Sequence, residues 1–282
     1  MQENISILKN RSVIKVFGID SKNFLNNIFT NDIYLINQND VMPSALLSPQ
    51  GKIIFDVLMF KLKTSNGNDN TIFLECDNSQ IQELIKKLKL YSLRQDVFIQ
   101  ETGLSVLTTN QANKFKNIKL DKRFNIPNFG RLYLEKEDLN NFKQTKFSNN
   151  LNWYYKLKFS ECIPEGNIEI PINKIFPFEI NMIFEKAVSF EKGCFIGQEV
   201  VARVKYKGKI KKKYFGFKIC SKKIIDLKSN ILDQNGLEIG KIIYNIKVDS
   251  YIFGFCLLNI KFIDRNDKKI KCFNNNLDIT IY

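Results

Sequence analysis

The sequence predicts an α+β fold, and three observations carry that reading. Strand and helix signals in the first part of the chain come in the order strand, helix, strands, helix, strand, the order of a ferredoxin-like unit. Beyond residue 213 the pattern turns all-β, with short strands and glycine bends that suit a small barrel. With 282 residues, 44% of them apolar, the chain can build a large domain or two to three smaller ones, each with its own core.

The elements follow in order. Residues 12–17 alternate as a short strand, and Gly18 breaks it. Asp20 or Ser21 then caps a helix that puts Phe24, Leu25 and Ile28 on one face. Thr30-Asn31-Asp32 is a polar turn, which can also aim an amide or carboxylate at a ligand. Residues 44–47 and 53–62 read as strands joined by the turn residues Ser48-Pro49-Gln50-Gly51. Asp56 lies inside the apolar run of the second strand, so it either faces solvent or is aimed into a pocket. Residues 66–70 are loop and 71–75 strand. Asp77 or Ser79 caps a helix with Ile81, Leu84, Ile85 and Leu88 at helical spacing. Residues 97–99 and 104–108 are further strands, and the polar residues 114–150 predict irregular structure. A helix over 152–162 stops before Ile163-Pro164-Glu165-Gly166, and Pro171 and Pro177 bound an extended connector. The C-terminal strands are predicted at 214–219, 238–244, 251–258 and 277–281, with a hairpin turn at Asn235-Gly236.

Composition narrows the chemistry. The chain has no histidine, which removes Ser-His-Asp triads, Cys-His dyads and His-ligated zinc together. Its six cysteines include no C-x-x-C pair, so a self-contained zinc ribbon or an ordinary ferredoxin cluster motif is absent and no metal site is predicted. The formal charge of +14 attracts polyanions. Lysine is spread throughout, and no stretch interleaves cations with aromatic residues as a nucleic-acid platform does. No direct nucleic-acid partner is therefore expected. There is no apolar leader and no run of membrane-spanning length, so a reduced, soluble, cytoplasmic protein without a membrane partner is expected.

One stretch concentrates reactive groups. Lys192-Gly193-Cys194-Phe195-Ile196-Gly197-Gln198-Glu199 brings a lysine, a thiol, two glycines, an amide and a carboxylate together at the mouth of a short helix. Gly197 opens that helix, Val200, Val201 and Val204 give it an apolar side, and Gly208 ends it. Partial positive charge at a helix N-terminus and a nearby lysine both favour a thiolate, which makes Cys194 and Lys192 the candidate reactive pair. The competing reading is a buried structural cysteine among turn glycines.

The segment from Phe190 to Arg203, followed by Tyr206-Lys207-Gly208, resembles the signature of the YgfZ family, tetrahydrofolate-binding proteins that maintain iron–sulfur clusters. These are structural relatives of the glycine-cleavage T-protein, an aminomethyltransferase. The resemblance extends over nearly the whole chain, through Gly18-Ile19-Asp20, Thr30-Asn31-Asp32, the turn residues 47–52 with Asp56, Tyr91 with Leu93-Arg94, and Ile163-Pro164. Lys158 and Cys162 stand where the family often has Arg and Gly, and Phe55-Asp56 replaces the Asp-Asp pair of the T-protein.

The resemblance implies a three-domain GcvT/YgfZ-like ring. Its parts would be an N-terminal folate-binding α+β domain (1–110), a central α+β domain carrying the cysteine motif (111–208) and a C-terminal β-barrel (209–282). It implies a tetrahydrofolate-dependent accessory factor that assembles or repairs iron–sulfur clusters in client enzymes and so indirectly supports tRNA modification. Such a factor is not an ordinary turnover enzyme. The alternative is a folate-dependent, aminomethyltransferase-like enzyme. The partners implied are reduced folate and iron–sulfur client proteins. A pterin needs a carboxylate or amide on its donor edge, for which Asn31, Asp56, Gln198 and Glu199 are candidates. Arg203, with Lys205 and Lys207, is a candidate for the anionic tail.

Overall fold

The elements run first through β1 (Ile5–Ile7), β2 (Arg11–Phe17), α1 (Ser21–Ile28), β3 (Met42–Leu47), β4 (Ile53–Phe60), β5 (Ile72–Asp77), α2 (Ile81–Tyr91) and β6 (Phe98–Glu101). Next come β7 (Ser105–Thr109), β8 (Lys119–Leu120), β9 (Gly130–Leu134), α3 (Lys136–Phe142), α4 (Asn152–Ser160), α5 (Gly166–Glu169) and α6 (Gln198–Lys207). Last are β10 (Lys212–Cys220), β11 (Asn230–Leu232), β12 (Glu238–Val248), β13 (Tyr251–Asn259), β14 (Cys272–Asn274) and β15 (Leu277–Ile281). The structure is a computed structural model that describes residues 4–62, 70–142, 150–183, 186–208, 210–220, 230–233, 235–263, 272–274 and 277–282. Most of the loop expected at 66–70 lies outside the described residues.

The first sheet has the order β3-β4-β5-β2-β6 and is antiparallel throughout. Without β3, this is the ferredoxin-like arrangement that the element order predicts, and β3 extends it as a hairpin with β4. Alternation along the strands divides the residues between the two faces. Ile14, Val57, Met59 and Leu74 face α1 and α2, packing on Phe24, Leu25, Leu84 and Leu88. The register pairs Arg11 with Asp77, Leu58 with Glu75 and Ala45 with Asp56. Arg11, Asp56 and Glu75 therefore share the opposite face.

A second antiparallel sheet, β1-β7-β9-β8, covers part of that face. Val13, Leu58, Phe60 and Phe73 from the first sheet pack there with Val106, Phe129, Tyr133 and Tyr154. The last six strands close into a barrel in the order β10-β13-β12-β11-β14-β15. The barrel wall meets α4 so closely that a β-carbon on Gly216 would stand 1.7 Å from the carbonyl oxygen of Phe159.

Several expectations are corrected. Residues 114–150 contain β8, β9 and α3; the buried Arg131 interrupts the apolar pattern of β9 and hides it. The expected strand at 104–108 exists as β7 but belongs to the second sheet. Strands β1, β11 and β14 are short additions that no periodicity announced. The side chain of Asp20 does not cap α1, because its carboxylate accepts a hydrogen bond from Asp96 N instead (2.8 Å). Asp77 caps the 3-10 turn Asn78–Gln80 that leads into α2, accepting from Ser79 N (2.8 Å), while Gln80 stands at the start of α2 itself without a side-chain cap. Helix α4 ends at Ser160, and Cys162 takes the left-handed position (φ 53°) of a Schellman-type ending, with Ile163 N donating to Lys158 O (2.9 Å). Glycine is the usual residue at such a position, so Cys162 adopts it at a local conformational cost.

Candidate functional site

Helix α6 begins at Gly197, whose φ of 80° is left-handed. A β-carbon there would stand 2.6 Å from Ser48 O, so the helix entrance rests directly on the hairpin turn between β3 and β4. Val201 and Phe195 bury themselves beside Ala45 and Leu47 of that hairpin.

The Thr30-Asn31-Asp32 turn seats the segment that leads into the motif. Thr30 Oγ1 donates to Ala187 O (2.7 Å), and Ser189 N donates to Thr30 O (2.9 Å). Asn31 Nδ2 donates to Pro43 O (2.8 Å) and Lys186 O (2.7 Å), while its Oδ1 accepts from Asp32 N (2.9 Å). Lys192 Nζ reaches back to the same turn and donates to Phe29 O (2.7 Å) and Asn31 O (2.6 Å). Burial pulls the Lys192 amine down to about 8, and nearby Asp32 offsets this in part. The loop is thus pinned by Lys192 on one side and by buried Phe195 on the other, and Cys194 between them is exposed. The lysine acts mainly as an anchor of the loop. Such a thiol can ligate a metal or enter exchange with an incoming group.

The other candidates are not gathered around Cys194. Glu199 and Arg203 pair with each other (2.8 Å) on the open side of α6, with side chains 84% and 70% exposed. Gln198 is half-buried in the first turn of that helix. Lys205 lies over the ring of Phe190 at 3.7 Å from its centroid.

Asp56 belongs to a different constellation. Its Oδ1 accepts from Gly166 N (3.0 Å), and its Oδ2 stands 3.6 Å from Arg11 Nη1. Behind it lies a buried ionic network centred on Arg131. That guanidinium bonds Glu75 (3.0 Å), Asp121 (3.2 Å), Glu165 (2.6 Å) and the hydroxyl of Tyr154 (3.0 Å). Arg123 bonds Asp121 and Glu165, Arg11 bonds Glu75 (2.8 Å), and Lys158 bonds Glu169 (2.7 Å). Burial alone would push the Glu165 carboxyl up, but Arg131, Arg123, Arg11 and Lys158 outweigh it and hold it well below the usual range. For Asp56 and Glu169 burial wins, and both are raised. Among these groups the sequence reading singled out Asp56 alone. The signal for the rest was available in Glu75 and Arg131, each a charge at an inward position of an otherwise apolar strand.

Of the residues expected to hold a reduced folate, Asp56 fits best. One carboxylate oxygen is fixed, and the side chain keeps 13% of its surface open. The amide of Asn31 is committed to backbone partners, and Glu199 and Arg203 are committed to each other.

No protein-family model matches the chain. The chain is 28% identical over 233 residues to the mouse protein named iron-sulfur cluster assembly factor IBA57, mitochondrial, and 27% identical over 229 residues to the human protein of that name. Over 253 residues it is 26% identical to the IBA57 homolog of Dictyostelium discoideum. These matches take in 75%, 74% and 74% of this chain but only 65%, 64% and 60% of the relatives. In structure, the glycine cleavage system aminomethyltransferase T from Bartonella henselae superposes on 99% of this chain and 85% of its own, with a TM-score of 0.78 at 13% identity. The fold is the T-protein fold.

Sequence relatives and fold neighbour together support the broad YgfZ/T-protein group, without singling out the bacterial YgfZ proteins. The cytoplasmic expectation is corrected, because these relatives are named as mitochondrial. Cysteine usage that suits a reducing environment does not distinguish one reducing compartment from another. No described helix is long and apolar enough to cross a membrane.

Proposed function

We propose that this protein is an accessory factor for assembling or repairing iron–sulfur clusters, that it works with tetrahydrofolate, and that Cys194 is its working thiol. The observation that carries the reading is the loop of residues 192–195, anchored by Lys192 and Phe195 with the thiol turned outward. A thiol held in this way suits the transient ligation or exchange of a cluster brought by a client protein. Similarity to assembly factors supports the same class of work. In this reading three domains form a ring, tetrahydrofolate occupies its central cleft with the pterin donor edge on Asp56, and the clients include enzymes that modify tRNA. When bound, the folate supplies a reduced one-carbon carrier; Asp56 orients it and Cys194 meets the client.

The test has two arms. Tetrahydrofolate titrated by calorimetry should bind wild type and Cys194→Ala alike and bind Asp56→Asn weakly. In cells lacking their own assembly factor, wild type should restore cluster enzymes and Cys194→Ala should not. Full rescue by Cys194→Ala overturns the working thiol. The T-protein fold favours one second reading, an aminomethyltransferase-like enzyme. Sustained transfer from a lipoyl-bound aminomethyl group would support it.

A further inference from the structure

We propose that Arg11 is a positioning residue, its charge favouring the ionised form of the Asp56 carboxylate so that Oδ2 can receive the donor edge of a pterin. The inference rests on the folate reading of Asp56 and adds the group that makes that carboxylate usable.

The geometry of Arg11 is unusual for a buried guanidinium. Its side chain is 1% exposed, and Nε donates to Glu75 Oε1 at 2.8 Å. Nη1 and Nη2 are both buried and have no hydrogen-bond partner among the described residues. Buried donors are nearly always paired, so two orphaned nitrogens on one side chain mark a feature that packing alone does not explain. Of the two, Nη1 stands 3.6 Å from Asp56 Oδ2, too far for a hydrogen bond and close enough for strong attraction. Arg11 therefore acts on Asp56 by charge, and no donor among the described residues hydrogen-bonds Oδ2. Gly166 N fixes the other oxygen at 3.0 Å.

The groups facing Asp56 come from every side. Arg11 comes from β2, Glu75 and Asp77 from β5, Glu165 and Gly166 N from the start of α5, and Arg123 from the segment between β8 and β9. Burial and Glu165 disfavour a charge on Asp56; Arg11 is the strongest influence in the other direction, ahead of Gly166 N and Arg123. Arg123 is already held by Asp121 and Glu165. Without Arg11 the balance on Asp56 moves further towards the protonated form, in which an O–H would meet the N–H groups of the pterin donor edge.

Calorimetric titration of tetrahydrofolate from acid to mildly alkaline pH tests this. Arg11→Gln should bind roughly tenfold more weakly at neutral pH and regain wild-type affinity as pH rises, a midpoint shift of about one unit. Arg11→Lys should keep the wild-type profile, and Asp56→Asn should bind weakly at every pH. An Arg11→Gln profile with an unmoved midpoint, or one lowered evenly at all pH values, overturns the proposal. A second measurement needs neither folate nor a folded Arg11 variant: infrared difference spectra of wild type against Asp56→Asn, recorded without ligand. A carboxylate band from Asp56 at neutral pH supports the inference, and a protonated carboxyl band overturns it. If wild type binds no folate, the folate reading fails while the infrared result still judges the Arg11–Asp56 pair.

Discussion

Gly51 and Gly197 meet backbone to backbone: a β-carbon on Gly197 would stand 3.1 Å from the Cα of Gly51, and one on Gly51 would stand 3.5 Å from the carbonyl oxygen of Gly197. Both residues are left-handed, at φ 77° and 80°. The hairpin of the first sheet and the helix that follows the cysteine motif are thereby locked in one arrangement. Gly197→Ala should lower stability by roughly 1–3 kcal/mol, through backbone strain and the clash with Ser48 O, and should expose residues 190–197 to protease. Gly51→Ala should behave alike, since its β-carbon would press on Val200 at 3.0 Å. A β-carbon on Gly193 would meet nothing within 4 Å among the described residues beyond its chain neighbours, so Gly193→Ala should stay within about 0.5 kcal/mol of wild type. Urea midpoints check all three, and a Gly193→Ala cost equal to that of Gly197→Ala would refute the hairpin as the cause.

Arg131 joins the two sheets and the start of α5 through one guanidinium. Replacing it with Met leaves Glu75 and Glu165 short of a buried cation, which typically costs about 3–5 kcal/mol. Arg131→Lys should lose most of the same stability, because a single ammonium cannot reproduce the planar fork that spans Glu75, Asp121, Glu165 and Tyr154. Chemical denaturation measures both variants. A loss below about 1 kcal/mol for Arg131→Met would remove the network from the forces holding the sheets together.

The same network sets the response to acid. Burial opposes the charges on Glu165 and Asp121, yet their cations prevail and both carboxyls lie below their ordinary values of 4.5 and 3.8. A carboxylate lowered on folding stabilises the protein above its unfolded value, and that stability disappears as pH falls through the folded one. Asp56 and Glu169 are raised, so they act in the opposite sense at higher pH. Stability should therefore decline steadily below about pH 4.5, and Glu165→Gln should flatten that decline. Urea titrations from neutral to acid pH would show it; equal slopes for the two proteins would dismiss Glu165 as the titrating group.

The helices over α1, α2 and α6 were legible because their apolar residues recur at helical spacing and face a core. The hairpin turn at residues 48–51 was legible from its Pro and Gly. What could not be read from local pattern was the use of charge inside. Asp56 admitted two readings until the register placed it in one row with Arg11 and Asp77. Arg131 and Glu75 lie far apart in sequence, and only the stacking of two sheets makes them partners. Asn31 was read as a ligand group, but its amide organises backbone, and hydrogen bonds to carbonyls carry no sequence signal in the residues that accept them. Cys162 shows the converse: an ordinary residue in a left-handed position is invisible until the backbone is seen.

Lys192 offers a last test, because its ammonium is half-buried and held by two carbonyl oxygens rather than by a carboxylate. Burial lowers it to about 8, while Asp32 pulls it the other way. Amine-directed labelling read peptide by peptide should show Lys192 reacting with a midpoint at about pH 8, and Asp32→Asn should move that midpoint lower. The sign for stability follows from the same values. Between about pH 8 and the ordinary lysine value of 10.5, the unfolded chain holds the proton that the native chain has released, so this residue's contribution to stability rises with pH there. A neutral amine still has two N–H donors, enough for Phe29 O and Asn31 O, so the loop should keep its seat through the titration. Lys192→Met removes both donors and should abolish the pH-dependent gain while leaving the Asn31 carbonyl without this donor. A labelling midpoint near 10.5 would instead place the amine in water and remove it as the anchor of the Cys194 loop.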